Sequence, residues 1–220
     1  MARRMVPPLV RAFGLLLAVF LAVTEIHCQE VVDRIAARVE NDIILQSDVR
    51  QLARYQQFSD GKSEDEEQVL NRLIDQWVVR SEAEASRFPP PSSAEIDQGL
   101  QLLQKSFPSP EEYEKRKTAA GVTEEQLRTQ IATQIFLSNY LDSRFRPSVQ
   151  VDPQAVEEFY KTTILPRAKA RGQEPPALEA SRETIQEALV QKSINTQADR
   201  WLKESRSRIH VKIFAAEAGQ

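Results

Sequence analysis

Residues 63–78 read SEDEEQVLNRLIDQWV. Ser63 followed three positions later by Glu66 is a capping box, the pattern in which two side chains satisfy the free amides at a helix start. Behind it, Val69, Leu70, Leu73, Ile74, Trp77 and Val78 recur at a spacing of three and four, so one face of the helix is apolar. The helix is expected to end near Phe88, before Pro89-Pro90-Pro91. The same arrangement, a polar start followed by an apolar stripe, recurs along the chain. Ser92 and Glu95 open a helix with Ile96, Leu100, Leu103 and Phe107. Ser109-Pro110-Glu111-Glu112 opens a short one, with proline at the first helical position and Gly121 as its stop. Thr123 to Gln126 opens a long one carrying Leu127, Ile131, Ile135, Leu137, Tyr140, Leu141 and Phe145, ended by Pro147. Upstream, Ser47 is read as the cap of a helix running to about Phe58, broken by Asp60-Gly61. Downstream, Asp152-Pro153 starts a helix through Val156, Phe159 and Tyr160. Leu178 to about Arg208 forms a last long helix striped by Ile185, Leu189, Ala198, Trp201 and Leu202. The pattern specifies a mainly α protein, with Trp77 and Trp201 in its core.

Strand signals stand at the two ends. Val31–Val39 alternates in part, Glu40-Asn41-Asp42 has turn chemistry, and Ile43-Ile44-Leu45 resumes, which reads as a short hairpin. His210 to Phe214 reads as a strand, and residues 215–220 as a frayed tail. Between the helices, residues 165–177 (LPRAKARGQEPPA) have the basic, proline-containing character of a linker.

The first 28 residues read as a secretion signal: Arg3, Arg4 and Arg11, then an uncharged apolar run from Ala12 to Val23. That run falls short of the about 20 apolar residues needed to span a bilayer. The competing reading is an uncleaved membrane anchor. Cleavage can fall after the small residues Ala22 and Thr24 or nearer Cys28. The chain holds 29 Lys and Arg against 32 Asp and Glu, net −3. Residues 1–28 contain three Arg and one Glu, so the remainder carries −5. Mild acidity argues against nucleic acid, which calls for a clustered basic face, and against adhesion to anionic lipid. With Cys28 the single cysteine, an internal disulfide framework is excluded and the core must hold by packing.

Catalytic signals are scarce. The histidines are His27 and His210, too few for a His-based metal motif. Gly-rich phosphate loops and the GxSxG elbow are absent. Carboxylate pairs such as Glu124-Glu125 and Glu157-Glu158 stand at helix starts or on polar faces, where they complement the helix dipole. No catalytic residue, metal ligand or cofactor site is therefore assigned, and the chain is read as a non-enzyme.

The stretch 33–49 (DRIAARVENDIILQSDV) resembles the opening of the SurA family of periplasmic chaperones, an I-x-A-x-V-N-x-D-x-I-x-x-S-D/E pattern met here by Ile35, Ala37, Val39, Asp42, Ile44, Ser47 and Asp48. Glu40 stands where the family often has asparagine. Leu70–Glu84 is similar to the family's second helix, Ser93–Asp97 to its S-x-x-E-I-D start, Gly121–Leu127 to its G-x-T/S-x-E-x-L turn, and Val151–Tyr160 to its V-T-x-x-E-V-x-x-Y-Y element. The likeness covers residues 31–162 and, more loosely, 178–214.

The resemblance implies a SurA-type core: a signal at 1–28, a helical domain over 29–164, and a helix and strand over 178–214 that complete it. In this family the first and last strands pair. It also implies an ATP-independent chaperone of the periplasm whose partners are unfolded outer-membrane or secreted proteins, with the barrel-assembly machinery as a further partner. After signal cleavage no membrane insertion is expected. One departure matters. Where the family carries one or two parvulin isomerase domains, this chain has only the linker 165–177, so isomerase activity is not carried over. Leu100, Leu103, Phe107 and Tyr113, after the triple-proline break, are the candidate peptide-binding residues, with a plain core role as the competing reading. Two other functions stay open: a protein related to the prolyl isomerases, accessory or with an unusual site, and a docking scaffold without clients.

Overall fold

The N-terminal hairpin turns on a glutamate held in the left-handed region, Glu40 at φ 51°. In this computed structural model, which describes residues 33–214, strand β1 (Ile35–Val39) pairs antiparallel with β2 (Asp42–Leu45) across the two-residue turn Glu40-Asn41. The signal reading, His27, Cys28, the first residues of the hairpin stretch and the tail 215–220 lie outside the described residues. A bulge between Ile35 and Ala37 breaks the alternation, and Ala36 and Ala37 are both buried. The last strand, β3 (Val211–Ile213), pairs antiparallel with the other edge of β1, in the order β2-β1-β3. The expected joining of the two chain ends in one sheet is therefore present.

Helix α1 (Gln46–Asp60) follows β2 directly. Its start corrects the reading of Ser47 as cap. Leu45 occupies the cap position, and the Asp48 carboxylate accepts the Leu45 N–H at 2.8 Å. The helix stops at Gly61, whose φ of 76° suits a residue without Cβ. Helix α2 (Glu66–Ala85) begins two residues later than the Ser63 box implied. The working pair is Asp65 and Gln68: the Gln68 N–H donates to Asp65 Oδ1 at 2.9 Å and the Asp65 N–H donates to Gln68 Oε1 at 3.3 Å. Glu64 is the reason. Its N–H donates to Gln56 Oε1 at 3.0 Å and its carboxylate is held by Gln56 Nε2 and Arg72, which fixes it ahead of the helix.

The other starts fall where the caps placed them. Ser92 and Glu95 cap α3 (Ser93–Lys105) reciprocally, Ser109 accepts the Glu112 N–H at the head of α4 (Pro110–Ala120), and Thr123 with Gln126 caps α5 (Glu124–Phe145). Gly121 ends α4 at φ 63°. A short 3-10 turn (Arg146–Ser148) leads to α6 (Pro153–Phe159), and α8 (Leu178–Arg206) returns along α2 and α5.

The linker reading of 165–177 is corrected in its first half. From α6 the chain continues through a π-helical turn (Tyr160–Ile164) into α7 (Leu165–Ala170). Pro166 has no N–H to give. The chain widens just ahead of it, the Leu165 N–H reaching back five residues to Tyr160 O, and so carries the proline without stopping. Only residues 171–177 run as loop, tied back by the Tyr160 hydroxyl donating to Pro176 O at 2.7 Å.

The unit from Arg34 onward is mainly α with a small antiparallel sheet, and its apolar residues form distinct clusters. One lies under the sheet and joins Ala37, Val39 and Ile44 to Val49, Leu52, Val69 and Ile74. Another surrounds Phe58. A third joins Val79, Ala83, Leu137 and Tyr140, with Trp201 and Leu202 packed partly against it.

Candidate functional site

Leu100, Phe107 and Tyr113 are buried, and Leu103 is partly so. Phe107 stacks on Phe58 with ring centroids 5.0 Å apart, and Tyr113 meets both rings edge-on, at 5.4 Å from Phe58 and 5.3 Å from Phe107. Three of the four candidate peptide-binding residues thus lie mainly inside the fold, in the core role that competed with the client-facing one. From sequence alone, α3 and α4 look like a thin hairpin with surplus apolar residues. The end of α1 supplies the missing cover, with Phe58 fully inside. The Tyr113 hydroxyl is itself buried without a hydrogen-bond partner. What remains open there is a hollow of about 600 Å³ that includes Gln101, Gln104, Pro108 and parts of Phe107 and Tyr113.

Two further openings lie between α1, α2 and α5. One hollow of about 600 Å³ is bounded by Asp42, Ile44, Gln51, Trp77 and Thr133, and a second of about 900 Å³ by Tyr55, Asp60, Glu64, Arg72 and Leu141. They share Leu52, Gln76 and Gln130, and so meet as one trough. Leu52, an inward and almost fully covered position of α1, lies between the two, and Trp77 and Tyr55 supply aromatic walls. Trp77 Nε1 donates to Asp42 Oδ2 at 2.8 Å, which holds the indole beside the hairpin turn. The Tyr55 hydroxyl donates to Gln134 Oε1 at 3.3 Å, and burial raises its pKa above the ordinary phenol value.

Glutamines set the polar character of the trough. Gln56 is engaged at both ends by Glu64, and Gln134 accepts from Tyr55. Gln51 of α1, Gln76 of α2 and Gln130 of α5 are different. No hydrogen bond joins their carboxamides to another described residue, and all three are half-buried. The Gln130 Nε2 is fully buried and unpaired. A buried donor without a partner costs about 1–3 kcal/mol, so this position calls for an explanation. Sequence reading passed over these residues because glutamine on a polar helix face looks like ordinary solvated surface.

The charged rim is mixed in sign. The Arg72 Nε donates to Glu64 at 2.9 Å, and that hydrogen bond, helped by Gln56, holds the Glu64 carboxyl down at about 2. Among the described residues no cluster of His, Cys, Asp or Glu is placed to hold a metal ion, and no helix is long and apolar enough to cross a membrane. His210 lies exposed at the edge of the sheet, its N–H donating to Glu40 Oε1 at 2.6 Å.

No protein-family model matches the sequence, and no curated protein is significantly similar to it.

Proposed function

We propose that the protein is an ATP-independent chaperone of the SurA type, exported to the periplasm, that holds unfolded segments of outer-membrane or secreted proteins. The observation that carries this reading is the trough between α1, α2 and α5. It is open to solvent, walled by Trp77 and Tyr55, and lined by the glutamines Gln51, Gln76 and Gln130. Such a surface suits a flexible chain better than a compact metabolite, which calls for an enclosed pocket. The order of sequence motifs and the pairing of the first and last strands support the same reading.

Prolyl isomerase activity is not part of the proposal. By the resemblance, residues 165–177 stand where the family inserts its catalytic domain. Acceleration of the slow uncatalysed cis–trans step, which takes tens of seconds, by the purified protein would overturn that statement. The holding function is tested by light scattering of a denatured outer-membrane barrel diluted into buffer. Suppression at equimolar protein is expected, and no suppression would overturn the chaperone reading. A docking scaffold is the second reading. It draws on the apolar side chains left exposed around the sheet, Ile35, Ile43, Ile213 and Phe214. Stable co-purification with an assembly partner, without any effect on aggregation, would favour it.

A further inference from the structure

An antiparallel sheet with one face in water ordinarily carries polar residues on that face. The sheet β2-β1-β3 departs from this. Its inner face sets Ala37, Val39 and Ile44 on the apolar cluster beneath. On its outer face Arg38 stands between Ile43 of β2 and Lys212 of β3, directly opposite each, and Ile35 stands opposite Leu45. The Lys212 Nζ lies over the Phe214 ring, 5.0 Å from its centroid, which puts Phe214 on the same face. Ile35, Ile43 and Phe214 are 44 %, 53 % and 38 % exposed. With Ile213 at the rim, four of the five large apolar side chains exposed among the described residues gather on this one sheet. Single exposed apolar residues need no explanation, but a contiguous group marks a contact surface. The charges narrow what the contact is. Arg38 and Lys212 are exposed cross-strand neighbours of the same sign, and like charges directly opposite weaken a sheet. No carboxylate among the described residues pairs with either side chain. Glu40, at the turn of the same hairpin, is taken up by the His210 N–H.

We propose that the outer face of this sheet docks one amphipathic helix of a partner protein, with a carboxylate in the apolar stripe of that helix seated between Arg38 and Lys212. The dimensions select a helix. Three strands spaced by about 4.8 Å are about 10 Å across, the diameter of one helix with its side chains. A helix laid on the face covers Ile35, Ile43 and Phe214 together and completes the second layer that an apolar sheet face calls for. A strand added at an edge would lie beside β2 or β3 alone and leave the centre of the face open. The carboxylate supplies the counter-charge that the two cations lack, and the apolar side chains supply the buried area. The inference goes beyond the chaperone reading and holds with or without it, since a docking face serves a holding protein and a scaffold alike.

The test uses the full chain and a designed peptide of about sixteen residues, long enough to form a helix, with a leucine stripe interrupted by one glutamate. A second peptide has lysine in place of that glutamate. Binding is read by fluorescence anisotropy of a dye on the peptide and located by amide shifts of the protein. The glutamate peptide is expected to bind about tenfold more tightly than the lysine peptide. In the variant Arg38→Glu with Lys212→Glu the preference should reverse by a similar factor, a result that neither misfolding nor a general affinity for apolar helices produces. Both positions are exposed and stay a like-charged pair, so the fold should tolerate the change. Ile43→Ser should weaken both peptides. The shifts should fall on β1, β2 and β3. Equal binding of the two peptides, no reversal in the variant, shifts confined to Gln76 and Gln130, or no binding of the glutamate peptide at millimolar concentration would overturn the proposal. A concentration-dependent dimer in sedimentation that Ile43→Ser dissolves would overturn it in favour of a second copy of this chain. Binding to phosphatidylglycerol vesicles that the charge-reversed variant loses would overturn it in favour of a membrane.

Discussion

The main-chain N–H of Glu40 donates to the carbonyl oxygen of His210 at 2.9 Å, and the His210 N–H donates back to the Glu40 side chain at 2.6 Å, between residues 170 apart in sequence. This exchange locks the hairpin turn to the incoming β3. It helps hold Glu40 in a left-handed conformation that costs a non-glycine residue about 1 kcal/mol. The next pair along, Val39 and Val211, continues the ladder over the apolar cluster beneath the sheet. Val211→Asp puts a carboxylate beside fully buried Val39, and a loss of about 2–3 kcal/mol is expected. Urea unfolding would show it as a lower midpoint with an unchanged slope.

Tyr113 gives a prediction of the opposite sign. Its hydroxyl is buried with no partner, so Tyr113→Phe should leave stability unchanged or raise it by about 1 kcal/mol. Phe58→Ala removes the ring on which both Phe107 and Tyr113 lean, and should cost about 3–5 kcal/mol. Thermal unfolding of the two variants checks both. If Tyr113 were a client contact, its variant would change aggregation suppression instead of stability.

Gly99 lies inside α3, where a Cβ would come within 2.7 Å of Ile131 Cγ2 and 3.3 Å of Ile135 Cδ1 on α5. Alanine is favoured over glycine by about 1 kcal/mol in an exposed helix interior. Here the clash should win, because Ile131 is buried and its Cγ2 has no flexible end to swing away. A net destabilisation of about 1–2 kcal/mol is expected for Gly99→Ala. In an Ile131→Ala background the same substitution should cost less or become favourable, and a double-mutant cycle measures that coupling.

The Glu64 carboxyl should titrate at about 2 rather than in the usual carboxylate range. Because its folded pKa lies below the unfolded one, the stability it contributes is present at neutral pH. That contribution is lost as pH falls from the unfolded value near 4.5 toward 2. Arg72→Leu removes the largest cause, and the titration should move upward. It should not return fully, since Gln56 still donates to the same carboxylate. Carbon-13 shifts of the Glu64 carboxyl against pH report this directly.

Helix positions were legible in sequence because a cap is a local device. Ser92, Ser109 and Thr123 mark their helices by hydrogen bonds spanning three residues, and no distant partner displaces them here. The same local logic failed at Ser63. Arg72 and Gln56 reach Glu64 from eight residues away on either side and fix it outside the helix, leaving Asp65 to cap. It failed again at Pro166, read as a linker residue when a widened helical turn carries it. Capping boxes and proline report what the backbone prefers, and side chains from neighbouring helices decide which preference is used.

The candidate site was the least legible part. Apolar residues announce burial but not what buries them, so Leu100, Phe107 and Tyr113 looked like surplus until Phe58 arrived from the preceding helix. Glutamines announce nothing, since the same residue on the same polar face is solvated surface in one fold and trough lining in another. The sequence alone determined the mainly α class, the register of each apolar stripe and the strand character of both ends, because periodicity and capping act within a few residues. Only the tertiary structure decided that Phe58 closes the α3–α4 cluster and that Gln51, Gln76 and Gln130 line one hollow with Leu52. Those relations depend on how helices cross, and crossing is settled by side chains far apart in the chain.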